Sequence, residues 1–139
     1  MHVCHVPIRW SDFDRNGHLN NNAYIELAQE ARLQFALDEF VPNGFEIPVV
    51  FVRRLTADFN APIMPDTNQA EVRTWVNRVG RTSFDTRQEI CDHNGKVCCT
   101  IDVVQIWMDV ATAKPKAITA AEVKVLTQGE PLPEGPEGS

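Results

Sequence analysis

From Ala23 to Phe40 the stretch AYIELAQEARLQFALDEF sets Tyr24, Leu27, Ala28, Ala31 and Phe35 at helical spacing. A second row, Ile25, Leu33 and Leu37, runs beside the first, and no Pro or Gly interrupts either. Apolar residues therefore cover more than half the circumference, which predicts a helix wrapped by the rest of the fold. Asn20, Asn21 or Asn22 can cap its first turn, and the PNG at Pro42 to Gly44 ends it.

The remaining pattern has a period of two. His2 to Arg9, with Pro7 inside, predicts an edge strand. In EIPVVFVRRLTADFNAP, from Glu46 to Pro62, alternation puts Ile47, Val49, Phe51, Leu55, Ala57 and Phe59 on one face and leaves Arg53 pointing inward among them. After a PDTN turn, Ala70, Val72, Thr74 and Val76 alternate with Glu71, Arg73, Trp75 and Asn77. A further strand runs from Phe84 to Cys91. The DHNGK that follows predicts a two-residue hairpin at Asn94-Gly95, with register pairs His93 with Lys96, Cys91 with Cys98, Glu89 with Thr100 and Arg87 with Asp102. Phe84, Thr86, Ile90, Cys99, Ile101, Val103 and Trp107 then form the core face. A last short strand after Asp109 and a helical turn or two at AAEVKVL complete the pattern: α+β, an antiparallel sheet of five to six strands around one long helix.

At 139 residues and 43% hydrophobic content the chain suits one domain, expected over residues 1–127, with the Pro-, Gly- and Glu-rich residues 128–139 as a disordered tail. A net charge of −6 with 13 scattered Lys and Arg argues against nucleic acid as a partner. No apolar run approaches the roughly 18 residues of a membrane helix, and the first residues lack the apolar segment of a signal peptide, so the expected partner is no membrane and the expected place is the cytoplasm. Four cysteines without CxxC pairs are read there as reduced thiols, although the hairpin register would face Cys91 to Cys98.

The candidate chemistry sits in SDFDRNGHLNNNAY, Ser11 to Tyr24. Asp12, Asp14, Asn16 and Gly17 fall on the first, third, fifth and sixth places of a calcium loop, but the twelfth place, which needs a bidentate glutamate, is Ala23. A Pro-containing strand, not a helix, leads in. His2, Cys4 and His5 form a short HVCH, yet strand alternation turns His5 away from the other two. No GxSxG elbow or phosphate-cradling glycine loop is present. What remains is a carboxylate just upstream of a helix whose first N–H groups lack intrahelical partners and can hold an oxyanion. Gly17 permits the sharp return into that helix, and Asp12 reads as a structural loop carboxylate.

These residues resemble a known family. RWSDFDRNGHLNNNAYIELAQEAR, Arg9 to Arg32, is similar to the signature of hotdog-fold acyl-CoA thioesterases of the 4-hydroxybenzoyl-CoA thioesterase type, in which an aromatic, an Asp-x-Asp, a Gly and an Asn-x-x-Tyr lead into the central helix. RLTADFNAPIMPDTNQAEVRTWVNRVGRTSF resembles its strand, turn, strand and V-G-x-[ST]-S segment, and the likeness spans Val3 to Leu126. The resemblance implies a hotdog fold, hydrolysis of an acyl-CoA to a carboxylate and free coenzyme A, no cofactor, and homodimers or homotetramers with sites at subunit interfaces. It implies Asp14 as the catalytic carboxylate, the main-chain N–H at Asn21 as oxyanion donor, Gly17 and His18 as the turn lining the site, and Tyr24 as the family's helix tyrosine. His18 stands where aromatic-substrate members carry a hydrophobic residue, which points toward aliphatic acyl groups. Arg81, Thr82 and Ser83, with Arg54 and the inward Arg53, are the candidates for gripping coenzyme A. A non-catalytic acyl-CoA binding module and an enoyl-CoA hydratase on the same fold are the alternatives.

Overall fold

The computed structural model describes residues 1–132. Its elements are β1 (His2–Pro7), α1 (Asn21–Glu39), β2 (Val50–Phe59), β3 (Gln69–Val79), β4 (Ser83–Cys91), β5 (Val97–Asp109), β6 (Lys114–Pro115) and α2 (Ala120–Leu126). The strands form one antiparallel sheet in the order β1-β3-β4-β5-β2, with the two-residue β6 added to β5. Helix α1 packs against the concave face, mainly over β1, β3 and β4. This is the α+β hotdog arrangement that the sequence implies.

The inward face of α1 buries Tyr24, Leu27, Ala28, Ala31 and Phe35 as the helical spacing predicts, and Ala28 and Ala31 are fully enclosed. Small residues there let the helix approach the sheet closely. The second apolar row is covered only at its start: Ile25 packs against the core, whereas Leu33 is 52% and Leu37 40% exposed. The helix ends at Glu39, and Gly44, at φ +82, turns the chain out of a 3₁₀ turn at Val41–Asn43.

Two irregularities correct the expected strands. β2 carries a bulge at Arg53, since Val52 pairs with Gln105 and Arg54 with Val104. One extra residue reverses the alternation, so Val50 and Val52 face the helix before the bulge and Leu55 and Ala57 after it, while Val49 and Phe51 face outward. Arg53 is thereby the bulged residue, exposed and not inward. At DHNGK the loop has three residues, not two: Gly95 N–H donates to the Asp92 carbonyl, Asp92 N–H to the Lys96 carbonyl, and Gly95 lies at φ +79, the type I turn with a left-handed third residue. Asp92 Oδ1 accepts from the N–H of Asn94 and Lys96 and favours this longer loop. Cys91 therefore faces Val97 rather than Cys98. An irregularity one pair further on restores Ile90 to Cys99, Glu89 to Thr100 and Arg87 to Asp102. The last is a bidentate ion pair at 2.8 and 3.1 Å.

Beyond α2 the chain remains attached, with Gln128 Nε2 donating to Glu39 Oε1 at 2.8 Å. Of the expected tail, residues 133–139 lie outside the described residues.

Candidate active site

The loop between β1 and α1 is built by its own polar groups. Asp12 accepts from the Arg9 N–H at 2.9 Å and from the Arg9 guanidinium at 3.2 Å, closing a 3₁₀ turn at Trp10–Asp12. Asp14 Oδ1 accepts from the N–H of Asn16 at 2.8 Å and of His18 at 3.1 Å, and Asp14 N–H donates to the His18 carbonyl. Gly17 sits at φ +77, where a side chain would be strained, and donates to the Asp14 carbonyl at 3.0 Å. One carboxylate oxygen thus organises the loop. Oδ2 has no hydrogen-bond partner among the described residues, and the side chain is half-buried.

Leu19 anchors the loop to the body, its N–H donating to the Ile63 carbonyl at 3.0 Å, and the Asn20 N–H donates to the Asp12 carbonyl. Asn20 occupies the position before α1 but makes no side-chain cap. The N–H groups of Asn21 and Asn22 find no acceptor among the described residues, so the positive end of a 19-residue helix stays open next to the Asp14 loop. Asn21 and His18 are exposed.

Tyr24 points into the core behind the loop. It is 2% exposed, its hydroxyl accepts from the Ile63 N–H at 2.9 Å, and its ring meets Phe59 edge-on at 5.5 Å. Burial pushes its hydroxyl pKa up. It ties the helix start to the segment after β2.

Arg81, Thr82 and Ser83 form the β3–β4 turn at the other end of the sheet. β3 starts at Gln69, beside the loop, and its ten further residues place that turn about 33 Å away. Arg54 projects from the outer face of β2, exposed. One chain therefore ties Asp14, Gly17 and His18 into one loop that runs into the start of α1 at Asn21, and leaves Arg54 and the Arg81–Ser83 turn apart from that loop.

The alternation placed Thr74 and Thr86 inward but passed over Gln88 and Gln105, which complete a buried polar belt. Thr74, Thr86, Gln88 and Gln105 all face the helix and are at most 4% exposed. Gln88 Nε2 donates to the Ala28 carbonyl and Thr74 Oγ1, its Oε1 accepts from Arg32 at 2.9 Å, and Gln105 donates to Thr86 Oγ1. Its signal was two glutamines on core-facing positions of the β4–β5 register. Between the belt and α1, toward β5 and β2, lies a cavity of about 350 Å³ whose walls include Phe35, Ala36, Val50 and Phe84. Leu33, Ile47 and Val52, all exposed, also line it.

The sequence profile of the thioesterase-like superfamily matches residues 8–128. No curated protein matches the chain. Among solved structures, a thioesterase from Thermus thermophilus, complexed with coenzyme A and Zn, is 20% identical with a TM-score of 0.75 over 89% of this chain and 95% of that one. A thioesterase superfamily protein from Jannaschia sp. CCS1 is 18% identical with a TM-score of 0.80 over 96% and 94%. The DHNA-CoA thioesterase of Staphylococcus aureus is 19% identical with a TM-score of 0.70 over 84% and 79%. At these identities the likeness establishes a shared fold.

Proposed function

Since the chain belongs to the thioesterase-like superfamily, we propose that it hydrolyses an acyl-CoA thioester, with Asp14 and the open start of α1 as the reacting pair. The observation that supports this reading is an uncapped helix terminus that directly follows, in the chain, a loop whose Asp14 carboxylate keeps one oxygen free. A thioester carbonyl oxygen held by the Asn21 N–H gains the stabilisation of an oxyanion donor, typically about 3 kcal/mol of barrier. Asp14 Oδ2 then attacks the carbonyl carbon or takes the proton of an attacking water. Oδ1, held by two main-chain N–H groups, fixes the carboxylate's orientation. Coenzyme A leaves as the thiol, its proton supplied by water; after direct attack a water then cleaves the Asp14 acyl anhydride, and on either route the acyl group leaves as a carboxylate with Asp14 restored.

The same reading assembles the site from two copies. β2 is a free sheet edge, and the exposed Val49, Phe51, Val52, Leu33 and Leu37 need cover. Two-fold pairing along β2 runs the strands antiparallel. The start of β2 in one copy then lies by the end of β2 in the other. Val50 pairs with Trp107, whose N–H donates to the Thr82 carbonyl, while Phe59 at the other end contacts Tyr24. The Arg81–Ser83 turn of one copy thereby approaches the Asp14 loop of its partner, where it can bind coenzyme A.

A panel of short, medium, long and aromatic acyl-CoAs, followed by release of free thiol, tests the activity. Catalytic thiol release from at least one aliphatic member is expected; tight binding of intact thioesters with no thiol released would make the protein a binding module. Light scattering should give a dimer or a multiple of it, and a monomer that turns over would contradict the shared site.

A further inference from the structure

Arg32 projects from α1 into the cavity beside the buried polar belt, and its only hydrogen bond among the described residues is to a neutral group, Gln88 Oε1. The other two partly buried arginines each have a carboxylate, Arg73 with Glu71 and Arg78 with Asp85. Arg32 has none within ion-pair distance among the described residues, and burial lowers its pKa with no neighbouring charge acting against it. A guanidinium has five N–H donors, and one bond leaves most of them available. Holding an unpaired cation away from water is costly, and an anion entering the cavity removes that cost.

The rest of the cavity defines what that anion carries. Its walls are apolar at Phe35, Ala36, Val50 and Phe84, while Thr74, Thr86 and Gln105 add polar groups to the lining. A volume of about 350 Å³ suits a small ligand. We propose that this cavity is a carboxylate site that takes the anionic end of an aliphatic acid, with Arg32 as its counter-ion and the apolar walls holding the chain. Two sources share this chemistry: an acyl thioester bearing a second carboxylate at its far end, or a free fatty acid. The first rests on the thioesterase reading, since two-fold pairing along β2 would set the cavity of one copy beside the helix start of its partner; the second does not.

Calorimetry at neutral pH with octanoate and the neutral, similarly sized octanamide tests the site without any assumption about catalysis. The intact protein should bind octanoate at least tenfold more tightly, Arg32→Gln should bring octanoate down to the level of octanamide, and Arg32→Lys should retain part of the preference. Equal affinities, no binding of either compound, or a preference that survives Arg32→Gln would overturn the proposal. If Arg32→Gln does not fold, the comparison of the two compounds on the unaltered protein decides alone. Hydrolysis of the mono-CoA thioester of octanedioic acid against octanoyl-CoA then separates the sources. A tenfold or greater loss of kcat/KM in Arg32→Gln confined to the dicarboxylic substrate identifies it as the ligand; octanoate binding without that selective loss identifies the free acid. Octanoate binding also persists in Asp14→Asn, so an absence of thioesterase activity and an absence of the carboxylate site give different results.

Discussion

Replacing Tyr24 by Phe removes a single oxygen and separates packing from substrate contact. The Tyr24 hydroxyl accepts from the Ile63 N–H at 2.9 Å, with Ile63 fully buried and Tyr24 2% exposed. Deleting the acceptor leaves a main-chain donor that water cannot reach, which costs about 1–3 kcal/mol. The ring keeps its edge-on contact with Phe59, so no cavity larger than an oxygen adds to this. A chain of 139 residues has an unfolding entropy near 0.3 kcal/mol/K, so the loss corresponds to a Tm lower by about 3–10 °C at fixed protein concentration. Urea unfolding should give the same change at an unchanged slope. Because the hydroxyl lies in the core and not on the loop surface, kcat/KM should fall less than threefold below the new Tm. Unaltered stability combined with a large loss of kcat would refute this reasoning and place the hydroxyl on the substrate.

Gly17→Ala places a side chain at φ +77 with no neighbour within 4 Å, so only backbone strain opposes it; a stability loss of about 1–2 kcal/mol is expected in urea unfolding. Burial pushes the Cys91 thiol up to about 11 and the Cys99 thiol to about 12, so both should resist iodoacetamide at pH 8 in the folded protein and react once it is unfolded, as read by mass spectrometry. Burial raises the Glu122 carboxyl, but hydrogen bonds from Lys116 and the Thr119 N–H outweigh it and hold the group below its ordinary 4.5. A depressed carboxylate contributes stability above the unfolded pKa and loses it as pH falls through the folded one. Glu122→Gln should therefore cost stability at pH 7 and show a shallower decline below pH 4.5 in melts across pH; parallel curves would remove Glu122 from the acid response.

The fold was legible wherever local pattern and tertiary environment agree. The Ala28–Ala31–Phe35 stripe and the alternation through Val72 and Val76 both report burial directly, and the β4–β5 register counted outward from Asn94-Gly95 holds from Ile90 on, with Arg87 opposed to Asp102. Errors arose where one residue shifts the period. Arg53 read as an inward charge because alternation has no way to register a bulge, although an arginine on an apolar face is itself the sign of one. Asn94-Gly95 fits either of two loop lengths, and the Asp92 side chain selects the longer. In the site, the Asp14 loop and the open helix start follow from adjacent residues. The Arg32–Gln88 contact joins positions 56 apart in sequence, and the approach of Arg81–Ser83 to Asp14 needs a second copy of the chain. Neither can be read along one strand of sequence.

The most direct test is the turnover of Asp14→Asn, measured by thiol release on the best acyl-CoA of the panel. Asparagine keeps an oxygen for the Asn16 and His18 N–H groups, so the variant should fold, retain its oligomeric state and melt within a few degrees of the parent. Its kcat should fall by about 10²–10⁴, the usual contribution of a positioned acid or base. A folded variant with the parent's kcat would show that the carboxylate beside the helix start does not perform the hydrolysis.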